Sequence, residues 1–136
     1  MNKKGVTLIE LIVVMVIIAI GAALIAPNIG AWLPNYRLRS ATRDLVSTMR
    51  TAQMKAVSTN TAYSVVFVGA NSYQVVPGGI LNNLPNGVEF ENNTFPGATV
   101  QFNTDSTSSG GGVTLKNVKQ KKRITITSVT GRIKID

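Results

Sequence analysis

A long apolar stretch near the N-terminus decides how this chain is organised. Residues 3–27 have the sequence KKGVTLIELIVVMVIIAIGAALIAP. No side chain in residues 11–26 is charged or strongly polar, and counting from Val6 only Thr7 and Glu10 interrupt the apolar stretch. An α-helix rises about 1.5 Å per residue, so this stretch covers about 30 Å, the thickness of the hydrocarbon core of a membrane. The sequence therefore predicts a membrane-spanning helix.

Three classes of N-terminal segment share a basic start followed by an apolar helix. A secretory signal peptide has an apolar core of about 7–15 residues followed by a small-residue cleavage site. The stretch here is longer, although Gly21-Ala22-Ala23 could mimic such a site. A plain signal anchor fits the length, and Lys3 and Lys4 would keep its N-terminus cytoplasmic. It does not explain Glu10, because an acid in a membrane helix costs about 2.5–3.5 kcal/mol on insertion scales and so needs a specific partner.

The third class explains this carboxylate. The sequence Lys3-Lys4-Gly5-Val6-Thr7-Leu8-Ile9-Glu10-Leu11 closely resembles the class III signal of type IV prepilins and type II secretion pseudopilins. In that family a prepilin peptidase cuts after the glycine on the cytoplasmic side and methylates the new N-terminal amine. The resemblance implies cleavage between Gly5 and Val6, N-methylation of Val6, and assembly roles for Thr7, Glu10 and Pro27.

Glu10 would act inside the assembled filament. In a helical filament its carboxylate can meet the Val6 amine of the neighbouring subunit, which relieves the cost of holding either charge in an apolar environment. The alternative is that Glu10 lies at the level of the lipid headgroups and has no role in assembly.

The composition argues against an enzyme. The chain has 136 residues, no cysteine, no histidine and a formal charge of +8. The absence of cysteine excludes disulfides and thiolate metal sites. The absence of histidine removes the commonest metal ligand and the usual general base near neutral pH. Gly110-Gly111-Gly112 lacks the lysine and the spacing of a phosphate-binding loop. We therefore expect no catalysis, no metal and no cofactor, while the excess of bases suggests an anionic partner.

A proline-rich stretch follows the apolar segment. Pro27, Gly30 and Pro34 fall within eight residues. Proline inside a helix removes a backbone hydrogen bond and clashes with the preceding turn, so a kink or a locally melted segment is predicted here. The family that the N-terminus resembles also has a proline at the position of Pro27.

An amphipathic helix is predicted beyond this stretch. Apolar residues recur at steps of three and four, which is typical of a helix face that packs on a sheet. They are Leu38, Ala41, Leu45, Met49, Ala52 and Ala56. A second stripe, Arg39, Arg43 and Arg50, is expected to face solvent, an anion or a neighbouring subunit. The helix should end near residues 59–61, where helix-poor residues cluster.

The remainder of the chain changes to the alternation of β-strands. A hairpin centred on Gly69-Ala70-Asn71 is predicted from the turn residues and the alternation around them. The predicted strands are residues 63–67, 73–76, 88–91 and 98–102. The polar segment 103–112 ends in three glycines and is predicted to be a flexible loop.

The C-terminal segment predicts a second hairpin with a defined register. With Thr130-Gly131 as a two-residue loop, Ile126 would oppose Ile135 and Thr127 would oppose Lys134. This register sorts the side chains into an apolar face and a basic face, and a slip of one residue would destroy the sorting. The apolar face has Ile124, Ile126, Ile133 and Ile135, and the basic face has Arg123, Arg132 and Lys134.

These features extend the resemblance to nearly the whole chain. A strand pair closing on Thr130-Gly131-Arg132-Ile133-Lys134, a glycine-rich loop before it and an arginine-bearing helix ahead of a hairpin look like the GspH/FimT branch of minor pilins and pseudopilins. We expect an α+β, pilin-like fold, in which a long N-terminal hydrophobic helix continues into an amphipathic helix packed on antiparallel β-sheet. The expected divisions are a cleaved leader (residues 1–5), a transmembrane and filament-core helix (6–33) and a globular domain (34–136).

The resemblance implies two functions. The first is a structural subunit that assembles with other pilins or pseudopilins into a type II secretion pseudopilus or a type IV pilus. Such a subunit is held in the bacterial inner membrane by one span, with its globular domain periplasmic or extracellular. The second is a DNA-binding minor pilin for natural transformation, since members of the pilus-associated subgroup bind DNA through a C-terminal Gly-Arg-x-Arg element. Here Lys134 replaces the last arginine, which keeps the charge but loses the bidentate fork.

The bases that could contact DNA lie in an acid-free segment, residues 116–134. Such clustering is the electrostatic footprint expected of a phosphate-binding surface. The candidate contacts are Lys119, Lys121, Lys122, Arg123, Arg132 and Lys134. The alternative is that these exposed bases only keep the domain soluble.

Overall fold

Residues 5–136 are described by the structure, a computed structural model, apart from the side chains of residues 26–29. Lys3 and Lys4, the basic pair of the predicted leader, lie outside this part of the chain. The chain divides into two units, Met1–Leu33 and Pro34–Asp136, and the second unit holds the β-strands.

Helix α1, Leu8–Ser58, contributes residues to both units. Its helical backbone continues through Pro27, Gly30 and Pro34, so the prediction of a locally melted segment there is wrong. A proline removes one backbone hydrogen bond but keeps φ near −65°, a helical value, so flanking helical residues can hold the segment in place. A kink at Pro27 stays a prediction. The predicted C-terminal end is confirmed, since α1 ends at Ser58.

Eight strands follow the helix in the part of the chain that the structure describes, and they form two antiparallel sheets. The strands are β1 Tyr63–Val68, β2 Ser72–Val76, β3 Leu81–Asn83, β4 Glu89–Asn93, β5 Thr99–Phe102, β6 Gly111–Lys116, β7 Lys121–Ile126 and β8 Ile133–Ile135. Sheet A has the order β3-β2-β1-β5, and sheet B has the order β4-β6-β7-β8. The predicted α+β class is therefore confirmed.

The first predicted hairpin is also confirmed. Strands β1 and β2 pair with Val68 opposite Ser72, so the turn contains Gly69, Ala70 and Asn71. Gly69 has a φ of 66°, in the left-handed region that glycine enters at little cost.

The core lies where α1 packs against both sheets. The apolar stripe predicted on the helix is confirmed, because each of its members is at most 2% exposed. These members are Leu38, Ala41, Leu45, Met49, Ala52 and Ala56. The same core includes Val65, Val100 and Phe102 of sheet A and Val113, Leu115 and Ile124 of sheet B. Because each large aliphatic side chain gains about 1.5–3 kcal/mol on full burial, this shared core holds the amphipathic part of the helix on the sheets.

An aromatic cluster joins the two sheets beside the helix. Phe67 of β1 lies edge-on to Phe90 of β4, with ring centroids 5.1 Å apart. Phe67 also stacks on Phe95 at 5.7 Å. The backbone N–H of Phe90 donates to the carbonyl oxygen of Ala70 at 2.7 Å. Aromatic pairs in these geometries add to the gain from burial, so the cluster strengthens the contact between the sheets.

The segment 103–112 differs from the predicted flexible loop. Its last two glycines begin strand β6, where a Cβ added to Gly112 would lie 2.9 Å from the carbonyl oxygen of Ile124. Ahead of them, Ser108 is 7% exposed, and its N–H donates to the carbonyl oxygen of Ser128 at 2.9 Å. Close approach of backbone, rather than flexibility, explains a glycine here. Strand β3 was also missed, because three residues are too few to show an alternation.

The C-terminal hairpin has the predicted faces but a different register. Ile126 opposes Ile133 rather than Ile135, so the predicted pairing is wrong by two residues. Since side chains alternate with a period of two, a shift of two keeps every side chain on its predicted face. The isoleucines therefore share one face, and Arg123 and Lys134 share the other.

The loop of this hairpin is longer than the predicted Thr130-Gly131 turn. The Gly131 N–H donates to the carbonyl oxygen of Thr127 at 2.8 Å, and Gly131 has a φ of 59°. Gln53 of the helix donates its side-chain N–H groups to the carbonyl oxygens of Ser106, at 3.2 Å, and Gly131, at 3.4 Å. The loop is thus shaped by its contact with the helix, which local sequence does not show.

Candidate assembly segment and basic surfaces

The N-terminal helix begins with a side-chain cap. Helix α1 starts at Leu8, and the backbone N–H of Glu10 donates to the hydroxyl oxygen of Thr7 at 3.3 Å. Thr7 is thus the N-cap and Glu10 the third helical residue, which is the spacing of a capping box. Both residues were predicted to act in assembly. The structure adds a local role, because the Thr7 hydroxyl satisfies an amide that the helix itself leaves unpaired.

Gly5 precedes this cap, and the fold makes no demand for a glycine there. Among residues 5–136, no atom would lie within 4 Å of a Cβ added to Gly5, and the φ of Gly5 is not in the left-handed region. The next residue, Val6, is 72% exposed. A requirement for glycine would therefore have to come from another molecule, and the predicted cleavage by a peptidase is such a requirement.

The helix after the cap is long and apolar enough to cross a membrane. Within the described residues one stretch qualifies, Leu8–Ile25, with a mean hydropathy of 3.0 and none of it buried inside the chain. Glu10 is the one ionisable residue in this stretch. Large apolar side chains are exposed along its length, Leu24 at 76% for example. An apolar surface of this extent needs to be covered by lipid or by other helices.

Strand alternation divides the basic C-terminal segment between the two faces of sheet B. Lys122 of β7 opposes Leu115 and shares the face of the buried Ile124, which packs towards the helix. Lys121 and Arg123 lie on the opposite face, called the outer face below. The six candidate bases therefore do not form one continuous surface.

Carboxylates neutralise part of the outer face. Lys121 Nζ lies 2.6 Å from Glu91 Oε1, and Lys134 Nζ lies 2.6 Å from Asp136 Oδ1. No acid occurs within residues 116–134, but the arrangement of sheet B brings Glu91 of β4 beside Lys121, and Asp136 follows Lys134 by two residues along the chain. Exposed pairs of this kind contribute only about 0–1 kcal/mol to stability, yet they weaken the positive field of the face.

Two of the candidate bases lie in turns rather than in strands. Arg132 follows Gly131 in the hairpin loop and is exposed. Lys119 lies in the turn between β6 and β7, where its N–H donates to Asn117 Oδ1 at 2.7 Å. Arg123 and Arg132 remain the arginine candidates for phosphate contacts on this side of the domain.

A further group of bases was not predicted as a unit. Arg39 and Arg43 of the helix and Lys122 of β7 line one cavity of about 270 Å³ together with Thr42 and Ile135. We call this cavity the basic cleft. The arginine stripe is exposed as predicted, and Lys122 was identified separately. The alternation of side chains along β7 could have predicted that Lys122 lies near the arginine stripe, because it turns Lys122 towards the helix.

The acidic side chains do not suggest a metal site. The part of the chain that the structure describes has no group of three or more potential metal ligands. Asp105 instead accepts hydrogen bonds from the hydroxyl of Thr107, at 2.6 Å, and from its backbone N–H, at 3.0 Å. The hydroxyl first, and then the backbone donor, lower the pKa of the Asp105 carboxyl below its ordinary value. This carboxylate shapes its own loop.

Two family models match the chain. Residues 1–26 match a model described as a prokaryotic N-terminal methylation motif. Residues 41–131, about two thirds of the chain, match a model described as type II transport protein GspH. The chain belongs to the GspH family. The two matches lie in one chain, so the apolar N-terminal helix and the globular unit are parts of one GspH-family subunit.

Individual relatives agree with this assignment. Type II secretion system protein H of Xanthomonas campestris pv. campestris is 26% identical over 141 aligned residues, covering 96% of this chain and 82% of the relative. Two crystal structures of the type IV minor pilin FimU of Pseudomonas aeruginosa PAO1 have TM-scores of 0.62 and 0.60 at 14% identity. They cover 75% and 73% of this chain, and 90% and 92% of FimU. At that identity the likeness shows the fold, which is the pilin fold.

The family and the fold together define the class of this GspH-family chain. It is a minor pseudopilin or pilin, a subunit that assembles with other pilins or pseudopilins. The N-terminal methylation motif implies processing by a prepilin peptidase.

Proposed function

We propose that this chain is inserted as a precursor in the bacterial inner membrane, is cut between Gly5 and Val6, and assembles through its N-terminal helix into a pseudopilus or pilus. The globular unit, residues 34–136, then lies on the periplasmic or extracellular side. One observation carries the proposal: the stretch Leu8–Ile25 is an exposed apolar helix whose one ionisable group, Glu10, lies three residues beyond its cap.

The type II secretion system is the favoured machine. The description of the matching family and the name of the Xanthomonas relative both refer to type II transport or secretion. The likeness to FimU supports a shared fold, so the type IV pilus is the alternative machine.

The charge of Glu10 and the cap formed by Thr7 can be separated by experiment. A carboxylate in an apolar span is costly unless it meets an opposite charge, and cleavage supplies one as the Val6 amine of a neighbouring subunit. Glu10 also follows the cap formed by Thr7, and an N-cap of this kind contributes about 0.5–2 kcal/mol to helix stability. Only charge pairing needs a negative charge at residue 10.

The substitution Glu10→Gln removes the charge but keeps the capping spacing, in which Gln replaces Glu. We expect Glu10→Gln to be cut normally and to fail to enter filaments. Thr7→Val removes the capping hydroxyl with little change of shape. We expect this variant to be cut and to be incorporated less efficiently, in keeping with the assembly role predicted for Thr7, but not to be excluded from filaments as Glu10→Gln is. Immunoblots of membranes and of sheared filaments measure both steps. Normal incorporation of Glu10→Gln would refute charge pairing, and loss of incorporation in Thr7→Val alone would show that assembly needs the cap and not the charge of Glu10.

Gly5→Val tests the cleavage site independently. An added side chain meets no neighbour in the fold, so uncut precursor accumulating in the membrane would report the peptidase and not misfolding. Gly21→Val is the matched control, because a Cβ at Gly21 also meets nothing within 4 Å and this glycine lies within the span. We expect Gly21→Val to be cut at the normal rate. Normal cutting of Gly5→Val would move the cleavage site elsewhere.

DNA binding by the globular unit is the second candidate function. The formal charge of +8 favours it, as do Arg123 and Arg132, for which the described residues show no ion pair. Because Lys121 and Lys134 are paired with carboxylates, we expect only about two or three phosphate contacts, and a slope of log K against log salt of roughly −2 to −3 on duplex DNA.

The DNA test uses the full-length protein in an uncharged maltoside detergent, titrated with random-sequence duplex at several salt concentrations. Replacing Arg123 and Arg132 together by Gln should flatten the slope without unfolding the domain, because both residues are exposed. An unchanged slope would remove this face as the DNA-binding surface. This outcome leaves the filament role unaffected, since that role depends on the N-terminal unit.

A further inference from the structure

The basic cleft gathers cations from two separate elements of the globular unit. Arg39 and Arg43 are four residues apart on the helix, which places their side chains on one face, one turn apart. Lys122 reaches the same cavity from β7. Residues that are far apart in the chain thus converge on one space of about 270 Å³.

The register of sheet B turns Lys122 towards the helix. It opposes Leu115 and shares the face of Ile124, and both of these residues are at 0% exposure. Lys122 itself is half-buried, at the margin of the core, where Ile135 is 43% exposed. A lysine in such a position covers apolar surface with its aliphatic stem and keeps its ammonium group at the polar side, here in the cleft.

The floor of the cleft supplies no negative charge. Thr42 is 3% exposed, and its hydroxyl donates to the carbonyl oxygen of Leu38 at 2.7 Å within the helix. Ile135 contributes an apolar wall. The three cations are therefore the charged groups of the cleft.

The side-chain carboxylates of the chain all lie outside the cleft. The sequence has six, Glu10, Asp44, Glu89, Glu91, Asp105 and Asp136. Glu10 lies in the apolar span, and Asp44 accepts a hydrogen bond from Ser40 at 3.4 Å. The other four accept from lysines of the outer face or from Thr107. None of the six lines the basic cleft, so its charge is not balanced by any described side chain.

We propose that the basic cleft binds a phosphate group. Three cations that line a common space repel one another. An oxyanion bound between them is attracted to all three and offsets this repulsion. Arginine presents a planar fork that matches phosphate oxygens two at a time, and Lys122 adds a point charge from the opposite wall. A phosphomonoester, which carries nearly two negative charges near pH 7, also balances three cations better than a carboxylate does, while a phosphodiester brings one charge per phosphate.

The size of the cleft bears on what carries the phosphate. Pockets for small ligands begin at about 300 Å³, so a cavity of about 270 Å³ holds a phosphate group with part of the molecule attached to it. A phosphorylated small molecule and the phosphodiester backbone of a nucleic acid share this chemistry. The proposal does not depend on filament assembly, since every residue of the cleft belongs to the globular unit.

The test uses pyrophosphate as the probe and the full-length protein in an uncharged maltoside detergent. Calorimetric titration at constant ionic strength measures the affinity of the unchanged protein and of two double variants. The cleft variant is Arg43→Gln with Lys122→Gln, and the control variant is Arg50→Gln with Lys55→Gln. Both remove the same charge, but Arg50 and Lys55 are exposed on the helix and do not line the cleft. We expect the cleft variant to bind pyrophosphate at least about tenfold more weakly, and the control variant to change by less than about threefold.

Several results would overturn the proposal. Equal weakening in both double variants would show that net charge alone attracts the probe. Failure of the unchanged protein to bind pyrophosphate, or preference for polyglutamate over pyrophosphate, would exclude a phosphate site, and the second would indicate an acidic protein partner. Arg39→Gln, an exposed change on the helix, should also weaken binding, and it avoids any disturbance of the core at Lys122.

A DNA competition identifies the source of the phosphate. If random-sequence duplex displaces pyrophosphate, and the cleft variant loses DNA binding, the phosphate belongs to a nucleic acid backbone. If the duplex does not displace pyrophosphate, the cleft takes a small phosphorylated molecule. Both results support the phosphate site, and they differ only in the molecule that carries it.

Discussion

Gly131→Ala should destabilise the globular unit by about 2–5 kcal/mol, through two separate costs. The first is conformational, because Gly131 has a φ of 59°, where a residue with a Cβ costs about 1–2 kcal/mol. The second is steric. A Cβ at this position would overlap the side-chain nitrogen of Gln53 and the carbonyl oxygen of Ser106.

The steric cost can be estimated from the hydrogen bonds that would be displaced. Gln53 Nε2 donates to the carbonyl oxygens of Ser106, at 3.2 Å, and Gly131, at 3.4 Å. Each such bond contributes about 0.5–1.5 kcal/mol net, so the loss of both costs about 1–3 kcal/mol. With the conformational cost added, and about 4–8 °C of Tm per kcal/mol for a domain of about 100 residues, Tm should fall by at least about 8 °C.

Gly69→Ala is the matched control for this prediction. Gly69 has a φ of 66°, and a Cβ there meets nothing within 4 Å, so only the conformational cost of about 1–2 kcal/mol applies. The assay is thermal unfolding of the full-length variants in the same detergent, followed by circular dichroism. Equal losses of stability in the two variants would refute the contact of the hairpin loop with Gln53. No loss in Gly131→Ala would refute the left-handed geometry as well.

Two further predictions concern the core and the loop that follows β5. Leu45 is 0% exposed, so Leu45→Ala should leave a cavity and lower the free energy of unfolding by about 2–5 kcal/mol, measured by denaturant titration; a loss under about 1 kcal/mol would contradict its place in the core. Hydrogen bonds from Thr107 lower the folded-state pKa of Asp105, so its carboxylate contributes stability above the ordinary pKa of 3.8 and loses that contribution as the pH falls through the folded-state value. Asp105→Asn should therefore flatten the dependence of Tm on pH below about pH 4, and parallel curves would contradict this role.

The parts of the fold that depend on neighbours in sequence were predictable. The stripe from Leu38 to Ala56 is buried as expected, because helical periodicity identifies one face whatever that face packs against. The hairpin at Gly69-Ala70-Asn71 was found for a similar reason, since a short turn and the two strands beside it are contiguous in sequence. The cap formed by Thr7 and Glu10 is also a local pattern, although it was interpreted only as an assembly signal.

The parts that depend on distant contacts were not predictable. Strand β6 was missed because its first two residues are glycines. A glycine is required at residue 112 because its backbone lies against the carbonyl oxygen of Ile124 and leaves no room for a Cβ. The C-terminal hairpin was placed two residues out of register, because its loop is longer than two residues and contacts the helix, where Gln53 donates a hydrogen bond to the carbonyl oxygen of Gly131. Neither Ile124 nor Gln53 is close in sequence to the segment that it shapes.

The sequence by itself determined that the N-terminal segment is long and apolar enough to cross a membrane as a helix. It also determined the spacing from Gly5 to Glu10 and the presence of many bases near the C-terminus. Only the tertiary structure decided how those bases are used. Lys121 and Lys122 are adjacent in sequence, yet strand alternation sends Lys121 to Glu91 on the outer face and Lys122 to Arg43 in the basic cleft. The physical reason is that a charge interacts with what is near it in space, and sheet pairing brings acids and bases together from segments that the sequence keeps apart.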